Sequence, residues 1–140
     1  ELKKYYISDE KKSYVYNNSK KSILRSSKNY NLEKIKVIIN LHGKISGNKH
    51  KKIFNKINFS YNSLVGFDAL NYCLLAEGLV DVVIEADLKP FDILPLIPIM
   101  NNAGAITTNW KNKPAINGGN ILATSNKKLH NKMLKILKDF

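Results

Sequence analysis

Two carboxylates, Glu85 and Asp92, lie at the junction of two apolar segments. The β-branched run Val82–Ile84 precedes them and predicts a strand, and the apolar run Ile93–Met100 follows and predicts a helix. Ligands and metal ions collect where the strands of an α/β sheet lead into helices, because the sheet leaves its carboxyl edge uncovered there. Free N–H groups in the first turn of a helix also keep an acid ionised. The two acids therefore predict a site for a cation or a polar ligand.

The segments around this junction follow one another in a distinctive order. They are Gly66–Gly78, Val80–Glu85, Leu88–Asp92, Ala103–Trp110 and Gly118–Ala123. In type and spacing they resemble the carboxyl-terminal half of the inositol monophosphatase family. The resemblance is greatest to the histidinol-phosphatase branch, which has Leu-Lys-Pro-Tyr-Asp where this chain has Leu-Lys-Pro-Phe-Asp. It extends over residues 66–140, whereas residues 1–65 match the family poorly.

The resemblance implies an α/β fold. This is the carboxyl-terminal subdomain of the layered sugar-phosphatase fold, a mixed sheet flanked by helices, with residues 1–140 as a single domain. The element order after residue 66, helix–strand–helix–strand–strand–helix, favours a sheet covered by helices as well. Whole family members pack this subdomain on an amino-terminal one. We therefore expect a missing amino-terminal half or a partner subunit, and a homodimer is a further expectation.

The resemblance also assigns roles to three acids. It implies that Asp92 is a Mg²⁺ ligand and that Glu85 and Asp68 contact the substrate, and it identifies no catalytic residue in this chain. Each acid also has a structural interpretation, because Asp68 and Asp92 suit helix N-termini and Glu85 suits an exposed strand end. The branch has an Arg where this chain has Leu64, so a bidentate clamp for phosphate or carboxylate is lost and the exact substrate stays open.

The activity that the resemblance implies is Mg²⁺-dependent hydrolysis of a small phosphomonoester. Histidinol phosphate, an intermediate of histidine biosynthesis, is the first expectation, and inositol monophosphate is the second. The family's metal motifs Gly-Glu-Glu and Asp-Pro-Ile/Leu-Asp-Gly-Thr do not occur in this chain. One carboxylate with waters binds Mg²⁺ weakly, so we expect the chain to be incomplete and inactive alone.

The net charge of +12 raises an alternative, a non-enzymatic basic domain that binds nucleic acid. Arg25 is the only arginine, and base readout favours arginine. The lysines are scattered along a chain that is also rich in Asn and Ile, as an AT-rich coding sequence would produce. We therefore expect no nucleic-acid partner, although a positive field would help to attract a phosphomonoester.

Three further features of the sequence bear on where the protein is located in the cell. No apolar run approaches the roughly 20 residues that span a bilayer, and the start, Glu1–Lys4, lacks the pattern of a signal peptide. Cys73 is the only cysteine and is expected to be a buried, inert thiol. We therefore expect a cytoplasmic protein without a membrane partner.

Several weaker candidates receive structural interpretations. The three histidines lack metal-ligand spacing, and His130, in the last predicted helix, is expected to be solvated. Asp81 and Asp87 are expected to be turn or strand-edge acids, Gly118–Gly119 a turn before a strand, and Trp110 a packing residue.

Hydrophobic periodicity and turn residues predict the elements. Strands are expected at Lys12–Asn17, Lys20–Arg25, Lys36–Leu41, Val80–Ala86, Ala105–Asn109 and Asn120–Thr124, and helices at Lys49–Ile57, Gly66–Glu77, Phe91–Asn102 and from Ser125 or Asn126 to Lys138. Pro95 lies inside the helix Phe91–Asn102, where a proline removes a backbone donor. That helix is therefore expected to bend at Pro95 or to begin later.

Overall fold

A computed structural model describes residues 4–41, 47–57 and 68–140, without the side chains of His50 and Phe54. The strands are β1 (Lys4–Ser8), β2 (Ser13–Asn17), β3 (Lys20–Ile23), β4 (Val37–Asn40), β5 (Val82–Leu88), β6 (Ile106–Asn109) and β7 (Gly119–Thr124). The helices are α1 (Gly47–Lys56), α2 (Asp68–Ala76), α3 (Pro90–Ile93), α4 (Ile97–Asn102) and α5 (Lys127–Leu137), with 3₁₀ turns at Leu94–Leu96 and Ala115–Asn117.

The described strands form two sheets. A small antiparallel sheet has the order β1-β2-β3, and a larger mixed sheet has the order β4-β5-β7-β6. In the larger sheet β4 runs parallel to β5, and β7 is antiparallel to both β5 and β6. Because β4 and β5 are parallel, their carboxyl ends lie at the same edge of the sheet.

Helices cover both faces of the larger sheet, because successive side chains of a strand point to opposite faces. Val83 packs in one core cluster with side chains of α2, α3 and α4. Its neighbours Val82 and Ile84 pack in a second cluster with α1 and α5. All three are fully buried. The expected α/β fold, a mixed sheet flanked by helices, is confirmed.

The helix predicted over Phe91–Asn102 is interrupted near Pro95, where a bend or a later start was expected. Helix α3 ends at Ile93, a 3₁₀ turn follows, and α4 begins at Ile97. Pro98 falls in the first turn of α4, where the missing N–H has no intrahelical partner to lose. The break therefore places each proline at the start of a short element.

The small sheet contains one strand that the sequence did not predict. The two strands predicted in this region, β2 and β3, pair as a hairpin with Asn18 and Ser19 at positive φ in its turn. Strand β1 adds to the free edge of β2. Asn102 at the end of α4 donates to Ser8 Oγ at 2.9 Å, so the small sheet is attached to the α4 side of the molecule.

His130 is buried, so the prediction that it is solvated was wrong. Its Nδ1 lies 2.9 Å from Thr124 Oγ1 and its Nε2 lies 3.0 Å from Thr108 Oγ1. Burial lowers the pKa of His130 to about 4, and the charge of Lys127 acts in the same direction. The apolar stripe of α5 is wide enough to take in residue 130, and two threonines of β6 and β7 supply polar partners.

Two interpretations of buried residues are confirmed. Cys73 is buried, and burial raises the pKa of its thiol to about 11, which makes it a poor nucleophile. Trp110 packs in the core and its Nε1 donates to the carbonyl oxygen of Ile121 at 3.1 Å. Within the described ranges, every helix is too short or too polar to cross a membrane.

Candidate active site

A cavity of about 240 Å³ opens at the carboxyl ends of β4 and β5. The first turns of α2 and α3 complete its described walls. Nine residues line it: Asn40, Asp68, Ala69, Tyr72, Glu85, Ala86, Asp87, Leu88 and Asp92. All three acids to which the sequence assigned roles therefore face one cavity.

Glu85 forms the buried floor of this cavity, with 1% of its surface exposed. Its Oε1 accepts hydrogen bonds from the side-chain amides of Asn40 at 3.1 Å and Asn71 at 3.2 Å. Its Oε2 accepts a hydrogen bond from the Tyr72 hydroxyl at 2.6 Å. The expectation of an exposed strand-end acid, the structural alternative for Glu85, does not hold.

Electrostatics at Glu85 reflect both burial and hydrogen bonding. Burial raises the pKa of the carboxyl, while its three hydrogen bonds act in the opposite direction. Burial also raises the pKa of Tyr72 well above its ordinary value, and the charge of Glu85 adds to that effect. The phenol is therefore protonated and serves as a donor, so the carboxylate is held in a fixed orientation.

The sequence analysis did not identify Asn40, Asn71 and Tyr72. A helical pattern would have indicated two of them, because residues 71 and 72 lie three and four positions after Asp68 and share its face of α2. Asn40 is a polar residue at the carboxyl end of the apolar run Val37–Ile39. Its importance depends on the parallel pairing of β4 with β5, which places it opposite Glu85.

Asp68 begins α2 and is exposed to the cavity. Its Oδ1 accepts from Asn40 Nδ2 at 3.4 Å, so the amide of Asn40 lies between Asp68 and Glu85. Negatively charged side chains are common at this position because the free N–H groups of the first helical turn are nearby. Asp68 therefore has the position of a helix N-terminal acid and also faces the cavity.

One carboxylate oxygen of Asp92 caps the start of α3, and the other is available to a ligand. Its Oδ2 accepts from the backbone N–H of Lys89 at 2.8 Å, and its own N–H donates to the Lys89 carbonyl at 3.0 Å. The side chain is exposed, and its Oδ1 has no hydrogen-bond partner among the described residues. The cap interpretation therefore holds, and one oxygen remains for a ligand in the cavity.

An irregular strand end positions the segment that leads to Asp92. The pairing of β5 with β7 shifts between Glu85 and Leu88, and Asp87 has a φ of 61° there. Gly118 lies against this segment with a φ of 68°, and a Cβ at residue 118 would collide with the carbonyl oxygen of Leu88. The turn expected at Gly118–Gly119 lies slightly earlier, because Gly118 ends the 3₁₀ turn Ala115–Asn117 and Gly119 begins β7. Gly118 supports the approach to the cavity.

The donors around the cavity suit a hard cation, since they are carboxylate and amide oxygens. Within the part of the chain that the structure describes, no three His, Cys, Asp or Glu residues are grouped so that they could share a metal ion. Asp92 fits as one ligand of a Mg²⁺ ion. The described residues do not complete its coordination.

Sequence comparisons place this cavity in a known context. The family model described as the inositol monophosphatase family matches residues 2–139, and so includes the residues before Gly66. The bifunctional phosphatase IMPL2, chloroplastic, of Arabidopsis thaliana is 50% identical over 50 residues, which are 36% of this chain and 14% of that protein. The histidinol-phosphatase of Mycobacterium tuberculosis is 36% identical over 67 residues, which are 48% of this chain and 25% of that protein.

The fold has a counterpart among solved structures. An inositol monophosphatase from Zymomonas mobilis superimposes with a TM-score of 0.72 at 25% identity. The superposition covers 91% of this chain and 53% of that chain. This chain therefore spans about half the length of the solved structure that it resembles, and smaller parts of the two curated relatives.

Proposed function

The chain belongs to the inositol monophosphatase family, a family of phosphomonoester hydrolases, and on that premise we propose that it forms one wall of the active site of a Mg²⁺-dependent phosphomonoesterase. The observation that supports this most strongly is that Asp68, Glu85 and Asp92 all line one cavity. Glu85 and Asp92 lie on consecutive elements, whereas Asp68 lies on α2 and is brought to the same cavity only by tertiary packing.

In this proposal Asp92 binds the metal ion. Its cap on the Lys89 N–H holds one carboxylate oxygen and leaves the other toward the cavity. When bound, Mg²⁺ polarises the phosphoryl oxygens and lowers the pKa of a bound water. The remaining ligands come from outside this chain, either from an amino-terminal half or from a partner subunit, and for that reason we propose that residues 1–140 alone are inactive.

The proposed substrate is histidinol phosphate. The cavity is lined by four carboxylates, those of Asp68, Glu85, Asp87 and Asp92, and by no lysine or arginine among the described residues. An amino alcohol carries a positive charge that such a lining attracts, whereas inositol is neutral. The similarity to the Mycobacterium tuberculosis histidinol-phosphatase supports the same choice.

Inositol monophosphate is the second candidate. The solved relative from Zymomonas mobilis is an inositol monophosphatase. The Asn40 amide and the Glu85 carboxylate meet at the cavity, and a donor next to an acceptor suits the hydroxyl groups of a polyol. The two candidates differ in the charge of the alcohol, so a direct comparison of the two phosphomonoesters separates them.

We also propose a setting for the enzyme. With a single buried thiol the chain has no internal disulfide, which suits a reducing cytoplasm. The complete protein is proposed to act as a homodimer on a small diffusible substrate.

The proposal is tested by supplying the missing part of the active site. The chain is fused behind the amino-terminal half of the Mycobacterium tuberculosis histidinol-phosphatase, and phosphate release is measured with Mg²⁺ and each phosphomonoester. We expect activity from the fusion and none from residues 1–140 alone. Asp92→Asn should lower kcat/KM more than about 100-fold, because a metal ligand is lost.

The matched control is Asp139→Asn. Asp139 is an exposed acid that pairs with Lys56, far from the cavity in the fold, and its loss should leave the rate unchanged. Unchanged Mg²⁺-dependent turnover in the Asp92 variant would contradict the assignment. Phosphate release from the isolated chain would contradict the proposal that its site is incomplete.

A further inference from the structure

The lysines of this chain are segregated in the fold. Helices α1 and α5 together carry eight of the 23 lysine and arginine residues and contain no aspartate or glutamate. Helices α2, α3 and α4 carry none. The sequence led us to expect scattered lysines, but the tertiary structure collects these eight on one side of the larger sheet.

The outer surface of that side is chemically uniform. In α1 and α5 the exposed side chains that the structure describes are all lysine or asparagine: Asn48, Lys49, Lys51, Lys52, Asn55, Lys56, Lys127, Lys128, Asn131 and Lys135. We call these residues the lysine face. The apolar side chains of both helices, among them Ile53, Leu129 and Met133, lie in the core beneath it.

Coding bias does not account for this distribution. A bias toward lysine would leave acids among the exposed positions, as it does elsewhere in the chain, but α1 and α5 carry none. Helix stability does not account for it either. Lys127 and Lys128 lie at the N-terminus of α5, where the helix dipole disfavours cations.

Electrostatic repulsion between lysines of the same helix is a second reason why helix stability does not explain their placement. Lys128 and Lys132 lie four positions apart on α5, and like charges at that spacing destabilise a helix. Lys52 and Lys56 have the same spacing on α1, but Lys56 is paired with Asp139. An anionic partner would relieve the repulsion. The Lys128 ammonium also lies over the ring of Tyr30. These contacts involve two of the eight lysines, so the arrangement of the others is explained by what the surface binds rather than by how the helices fold.

We propose that the lysine face binds the phosphate backbone of a nucleic-acid duplex, without preference for base sequence. Lysine ammonium and asparagine amide groups are typical donors to phosphate oxygens. The face has no arginine for base readout. The exposed aromatic ring beside it, that of Tyr30, already has the Lys128 ammonium over it at 3.7 Å and so is a poor platform for a stacked single-stranded base.

A membrane surface fits less well. Helices that lie on a bilayer insert an apolar face into it. In α1 and α5 the apolar face is already buried against the sheet. The proposal is independent of the phosphatase assignment, because the lysine face and the cavity lie on elements that cover opposite faces of the larger sheet.

The test measures binding of the full 140-residue chain to a labelled 20-base-pair DNA duplex and to an RNA duplex of the same length. With about four phosphate contacts, affinity should fall about 100-fold between 50 and 200 mM salt. Both duplexes should bind comparably, since the backbone alone is read. Absence of binding at 50 mM salt, or a strong preference for one base sequence, would overturn the proposal.

Matched variants locate the surface. Replacing Lys49, Lys52, Lys127 and Lys135 by glutamine should weaken binding at least about 10-fold. A second variant removes the same charge from exposed lysines elsewhere, by replacing Lys11, Lys20, Lys111 and Lys113 with glutamine, and should change affinity less than about threefold. Equal losses in the two variants would show that net charge, not this face, is responsible.

Two further measurements distinguish the possible causes of a change in binding. Arginine at the same four positions of the lysine face keeps the charge and should keep the binding, which separates loss of contact from loss of fold. Vesicles of 30% phosphatidylserine in phosphatidylcholine are titrated in parallel. Salt-sensitive binding to these vesicles with none to the duplexes would overturn the proposal in favour of a membrane surface.

Discussion

The two helical layers of the larger sheet present opposite surfaces. The layer of α1 and α5 exposes lysine and asparagine, whereas the layer of α2, α3 and α4 exposes apolar side chains such as Phe91 beside the acids of the cavity. Both layers bury the same kind of core: Val82 and Ile84 point to one, and Val83 points to the other.

This difference shows that the residues which pack a helical layer on the sheet and the residues which form its outer surface vary independently. Exposed apolar side chains next to a cavity are typical of a face that another surface covers, which agrees with our proposal that the site is completed from outside this chain. The lysine face has no such apolar residues among its described members and suits an anionic partner. Changes on one layer should therefore leave the other layer intact.

The largest effect on stability is expected at Gly118, on the cavity side. Its φ of 68° and ψ of −143° lie in a region that is open almost only to glycine, and a Cβ would collide with the Leu88 backbone. Gly118→Ala should lower the free energy of unfolding by about 3 kcal/mol or more, as measured in urea. The lysine face should keep its duplex binding in the folded fraction.

Gly119→Ala is the control for Gly118. Gly119 also has a positive φ, 86°, but a Cβ there meets no atom within 4 Å. This variant should lose only about 1 kcal/mol from backbone strain. Equal losses at the two positions would contradict the role of Gly118 in supporting the segment before Asp92.

Lowering the pH should reduce the free energy of unfolding through His130, which lies on α5. The folded-state pKa of about 4 lies below the ordinary histidine value of 6.5, so the unfolded chain binds an extra proton between these two pH values. The contribution of neutral His130 is therefore complete above pH 6.5 and is lost as the pH falls toward 4, by at most about 3 kcal/mol. Urea unfolding at pH 7 and pH 5 measures it.

His130→Gln provides the comparison for that measurement. Glutamine is neutral at both pH values and keeps groups that can bond Thr108 and Thr124. The variant should lose less stability between pH 7 and pH 5 than the parent chain does. An identical pH dependence would show that other groups govern acid unfolding.

Tyr72→Phe should have a smaller effect, on the cavity side. It removes the hydroxyl that donates to Glu85 at 2.6 Å and leaves a buried carboxylate oxygen without that donor. We expect a loss of about 2 kcal/mol in the free energy of unfolding. Tyr5→Phe, at a tyrosine that is 56% exposed, should change it little, and a similar loss there would contradict the interpretation.

The smallest effect is expected from Asp68→Asn in the fused enzyme. Asp68 is exposed, so its attraction for a substrate ammonium is screened and amounts to about 1 kcal/mol. The preference for histidinol phosphate over inositol monophosphate, as a ratio of kcat/KM, should fall about fivefold. An unchanged ratio would remove Asp68 from the proposed substrate contacts. Glu10→Gln, an exposed acid on the small sheet's turn, is the control.

Local signals in the sequence predicted most elements of the second half. Turn glycines, prolines and hydrophobic periodicity are read within a few residues, which is why the break at Pro95 and the turn at Gly118 were expected. Strand β1 was missed because its polar surroundings gave no clear alternation. Gly66 and Phe67, at the start of the predicted helix Gly66–Glu77, lie outside the described residues.

Residue types and the family resemblance also identified Asp68, Glu85 and Asp92 as candidates, and all three line the cavity. Their roles with metal and substrate remain predictions. The partners that hold Glu85 could not be found in the same way. Asn40 lies 45 residues away from it in the chain, and only the pairing of β4 with β5 brings the two together.

The amino-acid sequence by itself determined most of the helices and strands after residue 66, which of their faces are apolar and which acids end a strand or start a helix, because those properties depend on neighbours within a few residues. Only the tertiary structure decided that His130 is buried, that Asn40 meets Glu85 and that eight lysines share one side of a sheet. Each of these depends on which distant segments pair, and local periodicity does not record strand order or the face that a helix covers.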